Sequence, residues 1–213
     1  MRKITPFDRL LIEADAALKT LAPTRKRTCQ RTSPAEKVPE TALSATQKKH
    51  IAGLMRVNHA GEVSAQALYR GQALTATLDA VKDQMHEAAI EEIDHLAWCE
   101  TRLQELGATP SRLNPFWYAG SLMIGAFAGL IGDQWSLGFV AETERQVTAH
   151  LERHLTSIPS TDQKTKAILS QMKTDEMAHA TLAQDAGAAP LPFLIQRLMY
   201  AISNVLTKSS YHL

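Results

Sequence analysis

Two four-residue strings carry the most specific chemistry in this chain. Glu92-Ile93-Asp94-His95 and Glu176-Met177-Ala178-His179 are both Glu-x-x-His. On a helix, positions i and i+3 project to one side, so the carboxylate and imidazole of each string can face one cation. A lone string is weak evidence: 13 Glu and 8 His in 213 residues give about half of one such pair by chance. Here there are two, and each is preceded by a further acid, Glu91 and Asp175. Each also follows another Glu at a similar interval, 30 residues from Glu62 to Glu92 and 32 from Glu144 to Glu176. The chain thus repeats helix-Glu, turn, helix-Glu-x-x-His. One Glu from each of two helices and Glu-x-x-His from each of two others is the ligand set of ferritin-like di-iron and di-manganese bundles.

The elements that must position these groups read as helices throughout, with no alternating strand pattern. Apolar residues recur at steps of three and four around Ile51, Met55, Glu62 and Tyr69, and around Met85, Glu92, His95, Cys99 and Leu103. They do so again around Val140, Glu144, Val147 and Leu151, and around Ile168, Met172, Glu176, His179 and Ala183. These stripes predict core helices over about 44–77, 80–106, 133–157 and 161–186, an apolar helix over about 115–131 and a last helix over about 191–207. Each core stripe has a carboxylate near its middle. Burying one unpaired carboxylate costs several kcal/mol, so four on inward faces need a shared partner, and a cation is the economical one. Helix phase selects Glu144 over Glu142, because Glu144 shares a face with Val140, Val147 and Leu151. Ligation by carboxylate and imidazole suits iron or manganese better than zinc. Four Glu with two His carry four negative charges, the complement of two divalent ions. The candidate metal ligands are Glu62, Glu92, His95, Glu144, Glu176 and His179. His59, three residues before Glu62, is read as neither ligand nor supporting donor. His150 and His154 are assigned to a surface or a substrate channel, and His50, His86 and His212 to solvent.

Composition sets the frame. Lys+Arg 23 against Asp+Glu 22 gives a net charge of +1, which argues against a nucleic-acid binder. Residues 1–49 carry a balance of +6, residues 50–213 one of −5, and all eight histidines lie in the second part. Two cysteines exclude a disulfide framework. Phe7, Leu10, Leu11, Ala14, Leu18 and Leu21 predict a short amphipathic N-terminal helix. Its acids Asp8, Glu13 and Asp15 count against a secretory signal or transit peptide. Residues 22–43, with three prolines and the run Arg25-Lys26-Arg27, read as a mobile linker, either solvated or facing an anionic membrane surface. The division is therefore a basic N-terminal segment over 1–43 and one helical domain over 44–213.

Residues 113–132 hold no charge. At 1.5 Å per residue they could reach across about 30 Å of hydrocarbon. A true crossing would put the two halves of the ligand set on opposite sides of a bilayer, so two readings stand: a connecting helix buried all round, or a helix lying partly in the membrane. The last helix favours the second, with Leu191, Leu194, Ile195, Leu198, Ile202, Val205 and Leu206 on one face. Trp117, Tyr118 and Trp135 flank the first segment as interfacial aromatics do.

The string Met55-Arg56-Val57-Asn58-His59-Ala60-Gly61-Glu62, with Glu91-Glu92-x-x-His95, Glu142-Thr143-Glu144 and Asp175-Glu176-x-x-His179, resembles the demethoxyubiquinone hydroxylase family of ubiquinone biosynthesis, over about residues 45–213. The absence of a clear transit peptide is more similar to its bacterial members. The resemblance implies an all-α, ferritin-like four-helix bundle with additional apolar and amphipathic membrane-associating helices. It implies an O2-dependent monooxygenase that hydroxylates the benzoquinol ring of a polyprenylated demethoxyubiquinol, with two non-haem iron ions. Glu62, Glu92, Glu144 and Glu176 would then be catalytic as well as metal-binding, with Glu92 and Glu176 bridging. His150 matches a family histidine near the substrate and the point of electron entry. Leu151 stands beside it where mitochondrial relatives have tyrosine. Electrons would come from the quinol itself or from a reductase. Implied partners are the quinol, the lipid surface on the cytoplasmic side of the cell membrane, and a ubiquinone-biosynthesis complex or lipid-presenting protein, with no nucleic acid. Two other classes share parts of the pattern: a soluble di-iron ferroxidase or peroxidase, and a non-enzymatic membrane-binding helical protein.

Overall fold

The computed structural model describes residues 5–22, 27 and 29–213, and the regular elements among them are all α-helices. The basic residues Arg2, Lys3, Arg25 and Lys26 lie outside the described residues. The helices are α1 (Pro6–Leu21), α2 (Ala45–Thr75), α3 (Asp79–Glu105), α4 (Asn114–Ile131), α5 (Asp133–Ser157), α6 (Gln163–Asp185) and α7 (Phe193–His212). Local chemistry sets their ends. Ser44 and Gln47 form a capping box on α2, and the Asp162 carboxylate caps α6 at the Thr165 N–H. Gly107 and Gly187 adopt positive φ just beyond α3 and α6. The last helix extends past its expected end at 207, because Tyr211 docks against His50 with 2.7 Å between its hydroxyl and Nδ1, and Ser210 is buried beneath Trp117.

The four core helices are α2, α3, α5 and α6, paired as the hairpins α2–α3 and α5–α6. Two apolar layers run across all four. One gathers Ile51, Met55, Cys99, Leu103, Leu151 and Met172. The other gathers Tyr69, Met85, Leu137, Val140 and Ala183. On each helix the stripe glutamate lies in sequence between its contributions to the two layers, so the carboxylates occupy a polar slice between them. The same order fixes direction: α2 and α6 run one way, α3 and α5 the other. Because α3 and α5 are parallel, their connection must return the length of the bundle, and α4 is that return.

α4 lies along α2 at close range. A Cβ on Gly71 would collide with the Leu122 carbonyl oxygen, and one on Gly125 with the Leu68 carbonyl oxygen. Glycine at both positions lets the backbones touch. The outer face of α4 is open, with Phe116, Met123, Phe127 and Leu130 between 66% and 74% exposed, which overturns the reading of a helix buried all round. Among the described residues no helix is long and apolar enough to cross a membrane. α7 packs on α2 and α5 and exposes Phe193, Leu194, Leu198 and Val205. α4 and α7 meet where the Trp117 indole donates to Ser210 Oγ at 3.1 Å.

The described part of the expected mobile linker is docked. Arg27 pairs with Glu100 at 2.8 Å, Arg31 reaches Asp94 and Asp175, Ala35 enters the core, and Glu40 meets the fully buried Arg102 at 2.7 Å. A proline-rich, basic segment lacks the periodicity that marks packing, and its order comes from long-range ion pairs with α3 and α6 that spacing does not reveal. α1 is held by Glu13 to Arg70 at 2.9 Å, and its Ala17 and Leu21 pack on Val63, Ala67 and Leu96.

Candidate metal centre

The polar slice contains the six residues singled out by spacing. Glu62, Glu92, His95, Glu144, Glu176 and His179 are all buried. Their ligand atoms fall into two sets, Glu62, Glu92, His95 and Glu176, and Glu92, Glu144, Glu176 and His179, with the atoms of each set within 4.8 Å of one another. Glu92 and Glu176 belong to both. Both imidazoles present Nδ1 to the carboxylates. His95 Nδ1 lies 3.1 Å from Glu92, 3.2 Å from Glu176 and 3.7 Å from Glu62, and His179 Nδ1 lies 3.2 Å from Glu176 and 3.5 Å from Glu92. Glu92 Oε1 is buried with no hydrogen-bond partner. An orphaned carboxylate oxygen among five other buried donor groups fits a cation site.

The outer nitrogens are held by a cross-over. His95 Nε2 lies 2.9 Å from Asp175, and His179 Nε2 lies 2.6 Å from Glu91. Each acid precedes one Glu-x-x-His string and serves the histidine of the other. Such carboxylates fix ring orientation and raise ligand basicity. The sequence displayed both acids, but a partner 80 or 88 residues away on another helix has no local signature. Tyr69 was read as core, and its hydroxyl donates to Glu144 within the slice.

Electrostatics reflects the crowding. Burial, then the charges of Glu176 and Glu62, pushes Glu92 well above the ordinary carboxylate range, and burial with the Glu176 charge does the same to Glu144. Burial would also raise Glu176, but hydrogen bonds from His179 and His95 outweigh it and hold that carboxylate down. Burial would lower His179, but the Glu176 hydrogen bond and the Glu92 charge raise it to about 9. A slice that holds excess protons in this way is one that divalent cations would relieve.

The other histidines lie elsewhere. His59 is buried but faces Glu100 at 3.1 Å and Asn114 at 3.2 Å, away from the ligand sets. Glu142 is turned to Arg145 and Gln146. His150 and His154 stack edge to face at 3.9 Å and line an open groove of about 350 Å³ with Arg153, Tyr200, Lys208 and Tyr211. They are outside the carboxylate slice. His86 and His212 are exposed, whereas His50, expected in solvent, is half-buried against Tyr211.

Two helical hairpins closing on a buried, carboxylate-rich Glu/His cluster define the ferritin-like class, and the cluster is compatible with a di-iron site. The fold is similar to the solved structure of the bacterioferritin-related protein from Bacteroides fragilis, with a TM-score of 0.55, 19% identity, and coverage of 65% of this chain and 84% of that one. Within the class, residues 49–210 match the model of the ubiquinone biosynthesis protein COQ7, and the chain belongs to that family. It is 61% identical over 213 residues to the 3-demethoxyubiquinol 3-hydroxylase of Legionella pneumophila (strain Corby), covering 100% of both chains. It is 54% identical over 216 residues to the protein of the same name from Alcanivorax borkumensis, covering 100% of this chain and 99% of the relative.

Proposed function

We propose that this protein hydroxylates the benzoquinol ring of a polyprenylated demethoxyubiquinol in ubiquinone biosynthesis, using O2 and two iron ions. The observation that carries the reading is the sharing of Glu92 and Glu176 by two four-residue ligand sets. It occurs in a chain whose full-length relatives are named for that hydroxylation. Glu62 and His95 would hold one ion, Glu144 and His179 the other, and Glu92 and Glu176 would bridge. When bound, the ions would activate O2 so that one oxygen atom enters the ring and the other leaves as water, with the two electrons this requires drawn from the quinol itself or from a reductase.

The chain's own residues prepare this. His95 and His179 keep Nδ1 turned inward because Asp175 and Glu91 hold Nε2. Tyr69 donates to Glu144 and restrains its carboxylate. The apolar layers on either side of the slice exclude water, which strengthens every charge interaction between them. The exposed faces of α4 and α7 support peripheral seating on the cytoplasmic side of the cell membrane, where a polyprenylated quinol resides. His150 borders the α5–α7 groove, a second point at which the quinol or its electrons could be handled.

The test is anaerobic reconstitution with Fe(II), metal analysis, and O2 consumption with a short-chain demethoxyquinol. Two iron ions per chain and a hydroxylated product are expected. A soluble ferroxidase would consume O2 with Fe(II) and leave the quinol unchanged. Glu62→Ala and Glu144→Ala should each lose iron and hydroxylation while circular dichroism stays helical. Full iron retention in a Glu92→Ala/Glu176→Ala double variant would sink the metal assignment.

A further inference from the structure

The two histidines are not supported alike. Glu91, which holds His179, has a side chain 50% exposed, and among the described residues its one hydrogen bond is to that imidazole. Asp175, which holds His95, is 12% exposed and is fixed from two further directions. Gln171 donates to Oδ1 at 2.8 Å, and Arg31 Nη1 donates to Oδ2 at 2.8 Å. Arg31 comes from the N-terminal segment, not from the bundle, and it is itself anchored. Its Nε and backbone N–H reach Asp94 at 3.1 Å each, and the Gln30 N–H reaches the same carboxylate at 2.8 Å. Its guanidinium lies 5.1 Å over the Trp98 ring, whose centroid is 5.4 Å from that of His95. Asp94 is on α3 and Asp175 on α6, so one guanidinium clamps the seam between the two hairpins directly behind one histidine. The planar fork of arginine suits two carboxylates at once, which a lysine ammonium matches poorly.

We propose that Arg31 is a positioning residue for the metal position of Glu62 and His95, acting through Asp175, and that it makes the two metal positions unequal. The inference rests on the metal reading given under Proposed function and deepens it. The N-terminal strap orders the carboxylate, the carboxylate orders the imidazole, and only one half of the site has this support. The ion at the Glu62–His95 position is the more tightly held of the two.

The experiment is anaerobic titration of the full chain with Fe(II) alone, followed by equilibrium dialysis and near-infrared circular dichroism of the ferrous sites. The wild type should take up iron in two distinguishable steps. Arg31→Gln should weaken the tighter step about tenfold to a hundredfold, the range for outer-shell substitutions, and leave the weaker step in place. Arg31→Lys should recover part of the loss. In an Asp175→Asn background Arg31→Gln should add less than about twofold, whereas in a Glu91→Gln background it should exert its full factor. Equal weakening of both steps, no weakening, or an undiminished Arg31 effect without the Asp175 carboxylate would overturn the proposal. If Arg31→Gln unfolds the metal-free chain, Arg31→Lys carries the same cycle and the same outcomes decide. A wild type that takes up no Fe(II) overturns the metal reading itself, a result distinct from two equal steps.

Discussion

His150 and His154 show how burial, more than any neighbouring charge, sets a charge state. Burial, with Arg153 nearby, pushes His150 from an ordinary 6.5 down to about 4. Burial, with His150 and Arg153, pushes His154 down to about 3. His150 Nε2 and His154 Nδ1 are buried without hydrogen-bond partners, so nothing compensates an added proton. Below about pH 6.5 the unfolded chain binds protons that the folded chain refuses until much lower pH. The pair's contribution is complete above 6.5 and is lost progressively as pH falls toward 4. At pH 5 the loss is on the order of 1–2 kcal/mol per histidine. Denaturant unfolding of wild type and of a His150→Asn/His154→Asn variant, at matched metal content, measures it: stability should fall less steeply on acidification in the variant. Parallel pH profiles would mean that both imidazoles are protonated as freely as in water.

At the level of elements, most of the positioning was legible and the exceptions have definite causes. The ligand helices could be placed because amphipathic stripes and capping residues are local signals, and Glu144 could be chosen over Glu142 from helix phase alone. The described strap, Arg27 and residues 29–40, could not be placed, because its contacts with α3, α6 and the core join residues at sequence distances no periodicity encodes. His59 was set aside from the metal, and its burial against Glu100 and Asn114, which depends on where α4 lies, could not be read from spacing. Gly125 and Gly129 of α4, which weaken it as an isolated helix, are what allow it to lie on α2. Gly125→Val would force α4 away from the Leu68 carbonyl. It should destabilise the protein by about 1–3 kcal/mol, the usual cost of overpacking. A lowered midpoint of chemical unfolding checks this, and an unchanged midpoint would show that the two backbones are not in contact.

For the whole molecule, most of the exposed large apolar side chains among the described residues lie on α1, α4 and α7, outside the four-helix bundle. Phe127 on α4 and Leu198 on α7 are 66% and 55% exposed, and neither helix supplies a candidate ligand. Phe127→Ser with Leu198→Ser should therefore abolish most flotation with anionic liposomes while iron content stays at the wild-type level. Undiminished flotation would remove these faces from membrane seating. The cross-over of Asp175 and Glu91 bears on how such a protein comes into being. A chain still short of α6 has Glu62, Glu92 and His95, but neither Glu176 nor the carboxylate that fixes the His95 ring. Neither ligand set is whole until α6 has left the ribosome and closed on α3. Metal uptake is thus a late event of biogenesis, and a truncation inside α6 should impair both positions at once.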